Sequence, residues 1–183
     1  MDKNKKKIFW ITRTAIFIAL LVVVQAATAP FKVTLLTGSL VNMILVVSVM
    51  TCGFSSGLIV SVISPFLAML FGIGPQLWPI VLLIALGNTV LVLLWYLVCK
   101  KALKERLVGY IAALAAAAVG KFLFLYVSIV QLALPLILKL PEKQAAALSA
   151  TFSVPQLITA LIGGVLAILV LPVIRKATSS RAH

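Results

Sequence analysis

Acidic residues are nearly missing from this 183-residue chain: Asp2, Glu105 and Glu142 stand against sixteen Lys and Arg. Histidine occurs once, as the last residue, His183. Without a carboxylate pair or an internal histidine, an intramembrane enzyme has no acid–base couple, and no serine has a base to activate it. The two cysteines, Cys52 and Cys99, lack metal or redox spacing. Each falls in or beside an apolar segment, where a free thiol acts as a small hydrophobe. No glycine-rich Walker loop is present, so the chain is not expected to hydrolyse ATP itself. No metal or cofactor is expected either. Charged residues make up only 10%, against about a quarter in soluble domains.

What is present is apolar. Hydrophobic residues make up 63%, and the mean hydropathy is +1.24. Runs near the ~20 residues that cross a bilayer recur along the chain. The expected class is an all-α integral membrane protein, a single domain over 1–183 built as a bundle of six transmembrane helices. The predicted spans are Ile8–Ala29, Ser39–Gly53, Ser56–Phe71, Pro79–Val98, Val108–Leu138 and Val154–Ile174. The second and third are short, and CGFSS between them reads as a tight turn of small residues. The basic head before Ile8 resembles a signal peptide, but its apolar run is too long and further spans follow, which predicts a retained first helix.

The net charge of +13 would suit nucleic acid if it formed a patch, but it sits at the flanks of the spans. Lys3, Lys5, Lys6, Lys7 and Arg13 open the chain; Lys100, Lys101, Lys104 and Arg106 interrupt it; Arg175, Lys176 and Arg181 close it. The positive-inside rule then puts both termini in the cytoplasm of a cell-membrane protein, with no nucleic-acid partner. The outer connections become Pro30–Gly38, Gly72–Trp78 and Lys139–Ser153, loops suited to a lid or a binding surface. Phe9-Trp10 and Trp95-Tyr96 read as interfacial aromatic belts.

Polar side chains gather toward the outer side. Apart from Asn4 in the tail, the amides Gln25, Asn42, Gln76, Gln131, Gln144 and Gln156 map to outer loops or outer half-spans, and Asn88 lies near mid-depth. The inner halves instead hold small residues, serines and threonines. A buried amide in lipid is costly without a partner, so the expected arrangement is a polar cavity open outward. Lys121 lies fifteen residues beyond Arg106, roughly 22 Å along a helix, past the middle of a ~30 Å hydrocarbon layer. A lysine there costs about 2.5–3.5 kcal/mol on insertion scales. At ~100° per residue, Ser128 and Gln131 continue its stripe toward the outer mouth. Two readings stand. Lys121 snorkels outward or bonds to carbonyls and holds the bundle together, or it receives an anionic group; with no acid within the spans, a ligand there would have to bring the negative charge. The amides themselves have a plain alternative in interhelical hydrogen bonding. Gln156, Thr159 and Gly163 share a face of the last span, and Ala112–Ala118 reads as a packing surface.

The stretches RTAIFIALLVVVQ (Arg13–Gln25), TGSLVNMILV (Thr37–Val46), SPFLAMLFGIGP (Ser64–Pro75) and LWPIVLLIALGNTVLVL (Leu77–Leu93), in this order across nearly the whole chain, resemble substrate-binding (S) components of energy-coupling factor (ECF) transporters of unassigned specificity. The resemblance implies capture of a vitamin or related micronutrient from outside. Its implied partners are a transmembrane coupling subunit and two ATPase subunits. It also implies that Ala15 and Ala19 form the small-residue patch that meets the coupling subunit. The substrate contacts expected are Lys121, Asn88, Asn42, Gln25, Gln156, Gln131 and Trp78, under a cover made by Pro30–Gly38 or Gly72–Trp78. A stand-alone secondary carrier of a small organic anion and a structural membrane subunit are the competing readings.

Overall fold

The computed structural model describes residues 3–103 and 106–179; Asp2, Lys104, Glu105, Arg181 and His183 lie outside them. All regular structure among the described residues is helical. Helix α1 (Lys3–Thr28) ends in a single 3-10 turn (Ala29–Phe31). Then come α2 (Thr34–Cys52), α3 (Phe54–Leu70) and α4 (Trp78–Leu94), which runs on into a wider π-helical segment (Trp95–Ala102). Helix α5 (Leu107–Leu125) likewise continues as a π-helix (Tyr126–Leu138), followed by the short α6 (Glu142–Thr151) and the long α7 (Val154–Ser179). Among the described residues, five helical segments are long and apolar enough to cross a membrane, and α3 is a shorter apolar helix of 17 residues.

Three expected connections differ. CGFSS is not a five-residue turn: α2 ends at Cys52 and α3 starts at Phe54, so Gly53 alone reverses the chain. It does so at φ 90°, which a side chain would strain. Pro30–Gly38 is not a loop, because α2 begins at Thr34. Its Thr and Leu residues continue the helix once Pro30 and the left-handed Lys32 have turned the chain. Lys139–Ser153 holds α6, ten residues of Ala-rich helix-forming sequence.

The bundle is apolar outside and partly polar within, the reverse of a soluble domain. Ile16, Leu82, Leu123 and Leu169 face outward, while Thr14, Gln25, Asn42, Ser61, Asn88 and Lys121 are buried. Interhelical hydrogen bonds follow: Thr14 to Ser56 (3.0 Å), Ser61 with Thr89 (3.2 Å), and Lys100 Nζ to the Met50 carbonyl (3.2 Å). Small residues set the close approaches. A Cβ on Gly163 would lie 2.5 Å from the Ser39 carbonyl oxygen and 2.6 Å from Asn42 Cβ, so α7 and α2 cross nearly backbone to backbone. Gly164 leaves room for Leu114 and Trp95. Trp95 is therefore a buried core residue, not an interfacial one. Ala113, Ala117 and Ala118 are buried as a packing surface of α5.

Gly163→Leu should separate α2 from α7. Overpacking of this kind costs about 1–3 kcal/mol, so thermal unfolding in detergent is expected several degrees lower. Leu169→Ala on the outward face should shift it little.

Candidate functional site

The buried amides Gln25, Asn42 and Asn88 lie toward one end of the bundle, where α1 and α3 finish and α2, α4 and α7 begin. The basic residues Lys3, Lys5, Lys7, Lys100, Lys101, Arg175 and Lys176 lie at the reverse ends of α1, of α4 with its π-helical extension, and of α7, and Arg106 precedes the start of α5. Lys121 is 3% exposed on α5. Its Nζ donates to Asn42 Oδ1 on α2 and to Asn88 Oδ1 on α4, both at 2.7 Å. Asn42 is 1% exposed and Asn88 is 3% exposed. A lysine ammonium has three N–H donors and no acceptor. Each asparagine must therefore turn its oxygen to the lysine, which leaves its N–H₂ group for a different acceptor. Among the described residues the sole carboxylate is Glu142, on α6 outside the bundle, so the lysine is held by dipoles alone.

These three residues line a cavity of about 110 Å³ together with Gln25, Gln156, Thr37, Ser64, Ile84 and Phe152, among others. Gln25 on α1 is 1% exposed; its Nε2 donates to the Ser64 carbonyl at 3.1 Å, and its Oε1 is buried with no partner. Gln156 at the start of α7 donates to the Thr151 carbonyl at 3.3 Å, tying α7 to the end of α6. Ile73, Gly74 and Pro75 from the α3–α4 connection also line it, as do Thr151 and Phe152 at the end of α6. The connection between α3 and α4 is thus at the cavity, as part of Gly72–Trp78 was expected to be. Thr34, Thr37 and Gly38 reach it from helix α2 rather than from a loop. The volume is several times the ~10–15 Å³ that one water needs. It is below the ~300–1,000 Å³ of pockets for drug-sized ligands.

Of the residues predicted to meet a ligand, the structure gathers Lys121, Asn88, Asn42, Gln25 and Gln156. Gln131 and Trp78 are not among the lining residues. Gln131 is exposed, and its Nε2 donates to Tyr126 Oη at 3.0 Å. The reason is the π-helical winding from Tyr126 onward: with bonds from i to i+5, a 100° step no longer applies and the stripe rotates off the cavity. Trp78, 59% exposed, packs by its ring against Phe66 at 5.9 Å. Ser64 was not singled out among the contacts, because counting amides overlooked the hydroxyls. Thr34, Thr37 and Phe152 fall in Pro30–Gly38 and Lys139–Ser153, stretches read as outer connections, but none was named as a contact.

The model of the family described as ECF transporter, substrate-specific component, matches residues 10–175. The chain belongs to this family. It is a multi-pass, substrate-binding membrane subunit of an ECF transporter, a transport component rather than an enzyme. Membership implies association with the ECF module of coupling and ATPase subunits. No curated protein and no solved structure matches the chain.

Asn42→Ala and Asn88→Ala each remove one oxygen from Lys121. Each is expected to lower stability in detergent by about 1.5–3 kcal/mol. Because both act through one nitrogen, the double variant should depart from additivity by about 0.5 kcal/mol or more. Gln131→Ala should be nearly silent in the same unfolding measurement.

Proposed function

We propose that this S component captures an anionic, carboxylate-bearing vitamin or related micronutrient from outside the cell and delivers it through ATP-driven import. Lys121 receives the anionic group, and Asn42, Asn88, Gln25 and Gln156 are the hydrogen-bonding contacts to the rest of the ligand and its carboxylate. The observation that carries this reading is Lys121 buried in the cavity wall on two amide oxygens, with Glu142 the sole carboxylate among the described residues. Amide dipoles solvate an ammonium without cancelling its charge, and intramembrane ionisable groups mark ligand paths by default. Both asparagine amides, turned oxygen-first to the lysine, keep N–H₂ donors that suit an anion. In the orientation set by the positive-inside rule, both termini lie in the cytoplasm and the cavity end lies outside.

Ala15 and Ala19 fit the coupling role. Both are exposed on α1, one turn apart, where small side chains let a partner helix approach closely. The connection carrying Ile73–Pro75 serves as the cover, and its Gly72 (φ 67°) and Gly74 (φ 76°) hold turns that a side chain would strain.

A structural-subunit reading has one observation in its favour: the Lys121 bonds also clamp α2, α4 and α5 together. Uptake separates the two. Ala15→Leu or Ala19→Leu should abolish co-purification of the coupling and ATPase subunits and leave this chain folded. Lys121→Met should keep the complex and lose at least tenfold of ATP-dependent uptake into proteoliposomes. Unchanged uptake in Lys121→Met would support the structural role. Uptake by this chain alone, collapsed by an ionophore, would support a secondary carrier.

A further inference from the structure

Gln25 holds the feature that the anion reading leaves unexplained. It lines the cavity, yet its Oε1 is buried without a hydrogen-bond partner. Such orphans are rare in folded proteins and call for a reason. The amide cannot be turned to relieve it. Its other end meets the Ser64 backbone carbonyl at 3.1 Å, which only accepts, so rotation would set two oxygens face to face. Oε1 is thus the end presented away from α3 by necessity, and it requires a donor.

The same cavity has the opposite polarity around Lys121, where the lysine and the two asparagine N–H₂ groups offer donors. The rest of the lining includes the apolar Val81, Ile84, Pro65 and Phe152. We infer that the ligand is a compact carboxylate that also carries an N–H or O–H donor, with the carboxylate on Lys121 and the donor on Gln25 Oε1. This rests on the anion reading above and narrows it: a carboxylate with no donor elsewhere leaves Oε1 orphaned and binds more weakly.

Matched probes test this on the unaltered chain in detergent, read by native mass spectrometry and thermal shift. The set is 2-, 3- and 4-hydroxybenzoate, the corresponding fluorobenzoates, which fill the hydroxyl's place without donating, and the hydroxybenzamides, which lack the charge. At least one hydroxybenzoate should bind tenfold or more tighter than its fluoro counterpart. Gln25→Met should erase that difference. Lys121→Met should weaken both carboxylate series, and the benzamides should bind weakly throughout.

Equal affinity for hydroxy and fluoro partners, with Lys121 dependence intact, would overturn this inference alone and leave water as the donor to Oε1. Carboxylate binding indifferent to Lys121→Met would overturn the anion reading beneath it. Failure of every hydroxybenzoate to bind would overturn the inference as well. The comparison among probes needs no variant, so a Gln25→Met protein that fails to fold does not remove the test.

Discussion

A lysine nitrogen held between two amide oxygens inside an apolar bundle is the constraint on which the rest of this structure depends. Lys121, Asn42 and Asn88 come from three helices, and each would carry an uncompensated polar group into lipid if the others were absent. Hydrocarbon offers no competing water, so the bundle must bring them together. The meeting at 2.7 Å requires close helix approach. Gly163 supplies it where α7 lies on the Asn42 turn of α2, and Gly87 supplies it where α4 meets Leu125 of α5. Packing of small residues and placement of the polar cluster are therefore one problem.

Helix α1 joins the two halves of the proposed function. Its far end places Gln25 in the cavity wall through Ser64, and its lipid-facing side shows Ala15 and Ala19. Ten residues separate Ala15 from Gln25, roughly 15 Å along a helix. A ligand that engages Gln25 thus acts on the same rigid element that the coupling subunit is proposed to meet. The proposed cover is a different element, the α3–α4 connection, so closing over a ligand need not disturb that face.

Much of this was legible in the sequence because lipid simplifies the rules. Apolar length located every long helix, and the scarcity of acids singled out Lys121 before any contact was known. Gln25, Asn42, Asn88 and Gln156 could be grouped by depth along their spans, since rise per residue is nearly constant. What failed was angle and local detail. Gln131 was projected on a 3.6-residue helix, but α5 widens beyond Leu125 and turns it away. Trp95 looked interfacial from its position, yet Gly164 opens a slot that buries it. Pro30–Gly38 was read as a loop because Pro and Gly punctuate it, whereas Gly38 is a packing glycine inside α2, against Thr159. The lysine's partners were out of reach by spacing, since they lie on other helices. The reading of an unpaired cation awaiting an outside anion is sharpened accordingly: Lys121 already has two neutral partners, and what it lacks is a charge.

The most direct measurement is native mass spectrometry of the chain extracted gently from the membranes that produce it. The expected result is one small carboxylate-bearing molecule retained per chain and missing from Lys121→Met. A retained cation, or a carboxylate held equally well without Lys121, would contradict the account.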